Sequence, residues 1–200
     1  MRPTEILSQE HQVILKVLDC LERIADCCQS SMKIDVGPAR EALEFFRLFA
    51  DRCHHLKEEH RLFPALVRKG FPSSDGPIFV MNLEHEQGRR YVRQMDDAIE
   101  RHERGEAGAP AAFVSHARAY VVMLREHIAK EDHCLFPMVD QALDANAQRE
   151  VVEAFEQAER DDLGEGTHER LLAVASQLCE RYGVDMLAAG ARGSGNCCHH

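Results

Sequence analysis

The sequence has no uninterrupted apolar run of 18 residues, so nothing in it reads as a membrane-spanning helix. Nor does its start, Met1-Arg2-Pro3-Thr4-Glu5, lead into the apolar core of a secretory leader, because charges recur every few positions. Clusters of Lys and Arg are missing as well. With 24 basic residues against 34 acidic ones, the formal net charge is -10, a balance that disfavours nucleic acid as the main partner. The eight cysteines, at 20, 27, 28, 53, 134, 179, 197 and 198, include no Cys-x-x-Cys pair, which removes zinc-ribbon and disulfide-framework readings. A cytoplasmic location with reduced thiols is the expectation. Alternating strand patterns are absent too, leaving an all-α class.

What the chain does contain is helical periodicity. Leu7, His11, Ile14, Leu18, Leu21 and Ala25 recur at steps of three and four and define an inward stripe on a helix over residues 4–30. Gly37-Pro38 opens a second helix running to Gly70, with Phe45, Leu48, His55, Glu59 and Leu62 facing inward. A loop rich in Pro, Ser and Gly at 71–77 precedes a third helix to Arg104, whose stripe is Ile78, Met81, His85, Gly88, Val92, Met95 and Ile99. A fourth begins near Pro110 and carries Phe113, Ala117, Tyr120, Leu124, His127 and Glu131. Four long helices with short loops predict an up-down-up-down four-helix bundle over residues 1–145. Two shorter helices, 147–160 and 168–182 with Thr167 as N-cap, form an extension over 146–183 packed on the bundle. Residues 184–200 read as a flexible tail, whose Cys197-Cys198-His199-His200 end offers donors to a soft metal.

The chain also repeats itself. His55-Leu56-Lys57-Glu58-Glu59 followed by Leu62-Phe63-Pro64 returns as His127-Ile128-Ala129-Lys130-Glu131 followed by Leu135-Phe136-Pro137, at an offset of 72 to 73 residues. A lone inward histidine, His11 or His85, precedes each copy. Residues four apart share a helix face, so each His-x-x-x-Glu unit presents an imidazole and a carboxylate to the same side. Burying four histidines and two glutamates at separate places would be costly, whereas a metal turns that cost into binding energy. The donors suit iron, manganese or zinc. Two equivalent units predict two metals, each with two histidines and both glutamates, and room for an oxo or hydroxo bridge and a small exogenous ligand. His54, His60 and His133 are expected off the stripe, at the surface or behind the ligands. His102 and His116 read as solvated, and His168 as a group able to approach one end of the site. Asp132 competes with Glu131 as ligand, but a step of five turns a side chain about 140° from His127 and a step of four only about 40°, which favours Glu131.

The order His, His-x-x-x-Glu-Glu-x-x-x-Phe-Pro, His, His-x-x-x-Glu-Asp-x-x-x-Phe-Pro resembles the His-His-Glu cation-binding domain of hemerythrin-like proteins over about residues 7–138. The resemblance implies a four-helix bundle holding two iron ions that bind dioxygen or nitric oxide, with ligands at His11, His55, Glu59, His85, His127 and Glu131. The oxygen carriers of that family have His-x-x-x-His on the third helix, and Arg89 stands at the second of those positions here. The four-histidine, two-glutamate set is more similar to bacterial iron-centre repair proteins. The expected role is therefore binding of dioxygen, nitric oxide or peroxide for storage, sensing or stress response. Turnover of nitric oxide or peroxide, or iron-centre repair, at the same centre is the alternative, and an inert metal in a helical scaffold the third.

Overall fold

The computed structural model describes residues 1–164 and 166–186, with the side chains of Asp162 and Leu163 excepted. The expected flexible segment and its Cys197-Cys198-His199-His200 end lie outside the described residues from 187 onward. Every regular element among the described residues is helical. None of these helices is long and apolar enough to cross a membrane.

The first long helix, α1 (Pro3–Ser31), starts at a Pro that spares an unneeded N–H and ends where Met32 turns left-handed. Its expected stripe is buried throughout, from Leu7 to Ala25. The second long helix begins as α2 (Val36–Phe45), then widens into π-helical turns at Phe46–His55 and Glu58–Leu62 before closing as α3 (Phe63–Arg68). An i→i+5 turn takes one more residue than an α-turn, so side chains beyond it are carried round by one position. Phe49, Ala50, Cys53, His54, Lys57 and Glu58 consequently face inward, while Leu48 is only half-buried.

Next come α4 (Gly76–Glu103) and α5 (Ala109–Lys130), which pack along each other. The turn after α5 is again π-helical, at Glu131–Leu135, and leads into α6 (Phe136–Ala142). Helix α5 also packs on α1, and α2 packs on both α1 and α4, so each long helix has two long neighbours. Chain directions follow from pairs at the two ends. Ser8 near the start of α1 bonds Asp132 just after α5, whereas Cys28 near its end lies against the Pro110 carbonyl at the start of α5.

Two apolar clusters hold the helices together. The larger runs from Ile14 to Cys28 on α1 across Phe45, Phe46, Phe49, Met95, Ile99, Phe113 and Leu124. The smaller contains Leu7, Leu62, Phe63, Leu66, Ile78, Leu135, Phe136 and Phe155. The extension comprises α7 (Ala145–Ala158), capped by Asp144, a π-turn at Glu159–Leu163, and α8 (Thr167–Tyr182). Gly166, in a left-handed conformation that glycine adopts without strain, takes the N-cap place expected of Thr167. Helix α8 packs on α1 and α2 through Leu171, Ala175 and Leu178, which join the larger cluster. Leu178→Ala should therefore lower stability by about 2–5 kcal/mol. Urea denaturation should show a lower midpoint with an unchanged slope; an unchanged midpoint would mean that α8 is not part of the cooperative core.

Candidate metal centre

Between the two apolar clusters lies a buried polar one. His11, His54, Glu58 and Glu131 place a ligand atom each within 4.8 Å of one another, and so do Glu58, His85, His127 and Glu131. All six side chains are essentially excluded from solvent. Two carboxylates shared by two pairs of imidazoles make one double site.

The hydrogen bonds fix how each ring points. His11 Nδ1 lies 2.9 Å from Asp132, His54 Nδ1 2.8 Å from Glu10, His85 Nδ1 2.7 Å from Glu59 and His127 Nδ1 3.0 Å from Glu84. A carboxylate can only accept, so each Nδ1 carries the proton and donates it. Each Nε2 is left as the inward atom. The inward atoms pair off, His11 with His54 at 3.0 Å and His85 with His127 at 3.2 Å.

Were all four imidazoles neutral in that tautomer, each pair would face lone pair to lone pair, a conflict that a cation between them, metal ion or proton, relieves. The glutamates span the pairs. Glu131 approaches His11 at 3.1 Å with one oxygen and His127 at 3.3 Å with the other; Glu58 reaches His85 at 3.4 Å and His54 at 3.8 Å. None of these four carboxylate oxygens has a hydrogen-bond partner. Buried polar groups are nearly always satisfied, so four orphaned acceptors side by side fit a bound cation.

The metal-free electrostatics agree. Burial and the negative charge of Glu131 push the Glu58 carboxyl well above its usual range. Burial would raise Glu131 too, but the imidazoles of His127 and His11 hold it at about 2. Burial lowers His54 and His85 well below the ordinary imidazole range, and neighbouring imidazoles add to it. For His11, burial is outweighed by the hydrogen bond to Asp132 and the negative charge of Glu131, which raise it to about 9. The cluster thus retains a proton where positive charge is needed.

The symmetry is close. Lys57 pairs with Glu10 behind His54, as Lys130 pairs with Glu84 behind His127. Phe136 stacks on His11 at 5.4 Å between ring centres, and Phe63 on His85 at 6.2 Å.

Of the expected residues, His11, His85, His127 and Glu131 meet in this double site. His55 touches it from the side: its ring stacks on His85 at 3.9 Å, and it offers a nitrogen near those of His85 and His127. Glu59 lies outside, binding His85 Nδ1 and the Arg89 guanidinium. His54, expected off the stripe, is only 1% exposed, and Glu58 is fully buried. The widened turns move the inward face from His55 and Glu59 to His54 and Glu58. One offset, held constant, carries the same information: His127 follows His54 by 73 residues, as Glu131 follows Glu58 and Pro137 follows Pro64. His60 and His133 are exposed as expected, and Asp132 supports His11 from behind. His102 is half-buried and accepts the Ile34 N–H, while His168 stands by Phe49 and groups with Glu10, Cys53 and Glu159 rather than entering the site.

Comparison with known proteins places the chain in a cation-binding family. Residues 2–139 match the hemerythrin HHE cation binding domain family. An uncharacterised protein of Mycobacterium tuberculosis is 24% identical over 188 residues, covering 90% of this chain and 70% of the relative. The iron-sulfur cluster repair protein YtfE of Yersinia pseudotuberculosis is 34% identical over 104 residues, 50% of this chain and 47% of its own length. No solved structure matches. A chain whose match to that family spans its whole histidine and glutamate cluster belongs to the hemerythrin HHE cation-binding family.

Proposed function

We propose that the long helices form an up-down-up-down four-helix bundle holding two iron ions, and that this centre binds dioxygen, nitric oxide or peroxide in storage, sensing or stress response. His11 and His54 would hold one ion and His85 and His127 the other, with Glu58 and Glu131 each reaching both. The observation that carries this reading is the set of four carboxylate oxygens buried without partners between two pairs of inward-facing Nε2 atoms. Iron supplies reversible redox chemistry and open coordination positions for a small ligand. The chain's own groups do the rest. Asp132, Glu10, Glu59 and Glu84 orient the four rings, and Phe63 and Phe136 stack on His85 and His11.

The donor set also accommodates manganese or zinc. A second reading, repair of iron centres, is favoured by the likeness to the iron-sulfur cluster repair protein YtfE. Release of iron from the loaded chain to an acceptor apoprotein would support it, and iron held without transfer would count against it.

Elemental analysis of untagged protein should give about two iron ions per chain. Glu58→Ala should remove at least one of them. Glu59→Ala should keep both at saturating iron while weakening affinity by about 10–100-fold, as expected for a group that only orients a ligand. The opposite ranking of these two variants would overturn the assignment of Glu58. A metal that binds only the folded chain also stabilises it, by about 4 kcal/mol when free metal exceeds Kd a thousandfold. Chelation should accordingly lower Tm by several degrees, and equal melting of loaded and chelated protein would contradict a folded-state site.

A further inference from the structure

A cavity of about 200 Å³ opens beside the double site. Its outer rim carries the exposed arginines Arg47 and Arg93, and its inner end reaches His55, whose ring stacks on His85. A single water occupies about 30 Å³ of liquid, and an apolar cavity of about 150 Å³ takes benzene. The space is therefore much larger than a diatomic ligand requires.

One part of its wall is apolar, formed by Phe46 and Tyr120, packed edge to face at 5.0 Å, together with Val92 and Gly88, and the rest is lined by charged side chains and His55. Gly88 sits inside α4, where glycine costs roughly 1 kcal/mol relative to alanine. A Cβ there would come within 3.5 Å of the Tyr120 ring and 3.3 Å of Met123, so glycine lets this turn of α4 approach both side chains closely at the cavity wall.

The charges around the cavity are already matched. Arg89 binds Asp51 and Glu59, Arg47 binds Asp96, and Arg93 binds Glu86. No lining arginine among the described residues is left over to select an anion. Among the described lining residues, one fully buried polar atom is unsatisfied: His55 Nδ1 has no hydrogen-bond partner and stands 3.6 Å from the Asp51 carboxylate, beyond hydrogen-bond reach. A neutral imidazole nitrogen needs either a donor or an acceptor, and a hydroxyl serves as both.

We infer that this cavity is a binding chamber for a small neutral organic molecule with a ring-sized apolar body and one hydroxyl group, held by His55 next to the His85–His127 half of the centre. Its relevance to chemistry at the metals rests on the di-iron reading above; its occupancy does not. The chamber selects by shape and by one hydrogen bond. Phenol is the simplest probe, benzene reports the apolar body alone, and benzoate reports a charged head.

Equilibrium dialysis of the 200-residue protein, with metal content measured on the same samples, tests the inference. Phenol should bind saturably at one per chain and at least tenfold more tightly than benzoate. Val92→Trp, which fills the chamber, should weaken phenol at least tenfold at unchanged metal content, with circular dichroism confirming the fold. His55→Phe should weaken phenol severalfold more than benzene. Absence of saturable phenol binding by the parent, benzoate binding as tight as phenol, or unchanged affinity in a folded Val92→Trp variant would each overturn the chamber. A parent that holds two irons and binds no phenol refutes only this inference, whereas one that binds phenol without holding iron refutes only the metal reading.

Discussion

Two buried carboxylates facing each other are the constraint on which the rest of the molecule depends. Glu58 and Glu131 are fully excluded from solvent, and neither accepts a hydrogen bond. Left alone, such a pair would oppose folding, since desolvating a charge costs several kcal/mol even after relaxation. Nearly every polar feature of the interior answers that cost. Four imidazoles turn their Nε2 atoms toward the carboxylates, four outer carboxylates fix those rings, and two lysines neutralise Glu10 and Glu84 in turn. The two apolar clusters occupy the space on either side.

The same arrangement accounts for the local helix geometry. A regular α-helix keeps positions four apart on one face but drifts over several turns, and the second long helix must present Phe45, Phe49, Cys53 or His54, and Glu58 together. Steps of four across that length are met by widening the turn. The second widened turn, Glu58–Leu62, ends against Phe63-Pro64, and its counterpart Glu131–Leu135 ends against Phe136-Pro137. Proline cannot donate to the preceding turn, so both distortions arise where the helix hydrogen bonding is already interrupted.

Much of this was legible in the sequence. The inward stripes on α1, α4 and α5 follow the 3.6-residue period and are buried at every expected position, and His11, His85, His127 and Glu131 lie on them. On the second helix the expected Phe45, His55 and Leu62 are buried, but Glu58 rather than Glu59 turns fully inward and His54 is buried beside His55. Adjacent His54-His55 and Glu58-Glu59 satisfy a four-residue spacing equally well, and an ideal α-helical count selects the second member of each pair. What decides between them is the widened turn, which depends on tertiary packing, although the constant offset of 73 residues between the two halves records its outcome. The orienting carboxylates Glu10 and Glu84 sit one position before His11 and His85, where a stripe argument assigns them to solvent. The cavity beside His55 has no sequence signature, because Phe46, Tyr120 and Val92 read as ordinary core positions.

Two metal ions sharing the carboxylates of Glu58 and Glu131 would leave a direct spectroscopic signature. X-ray absorption fine structure at the iron edge of the loaded protein measures this directly. The account predicts about two imidazoles per iron and a second iron within roughly 4 Å, the separation typical of carboxylate-bridged pairs. An iron shell with fewer than two imidazoles, or with no iron neighbour in protein that binds the metal stoichiometrically, would contradict it.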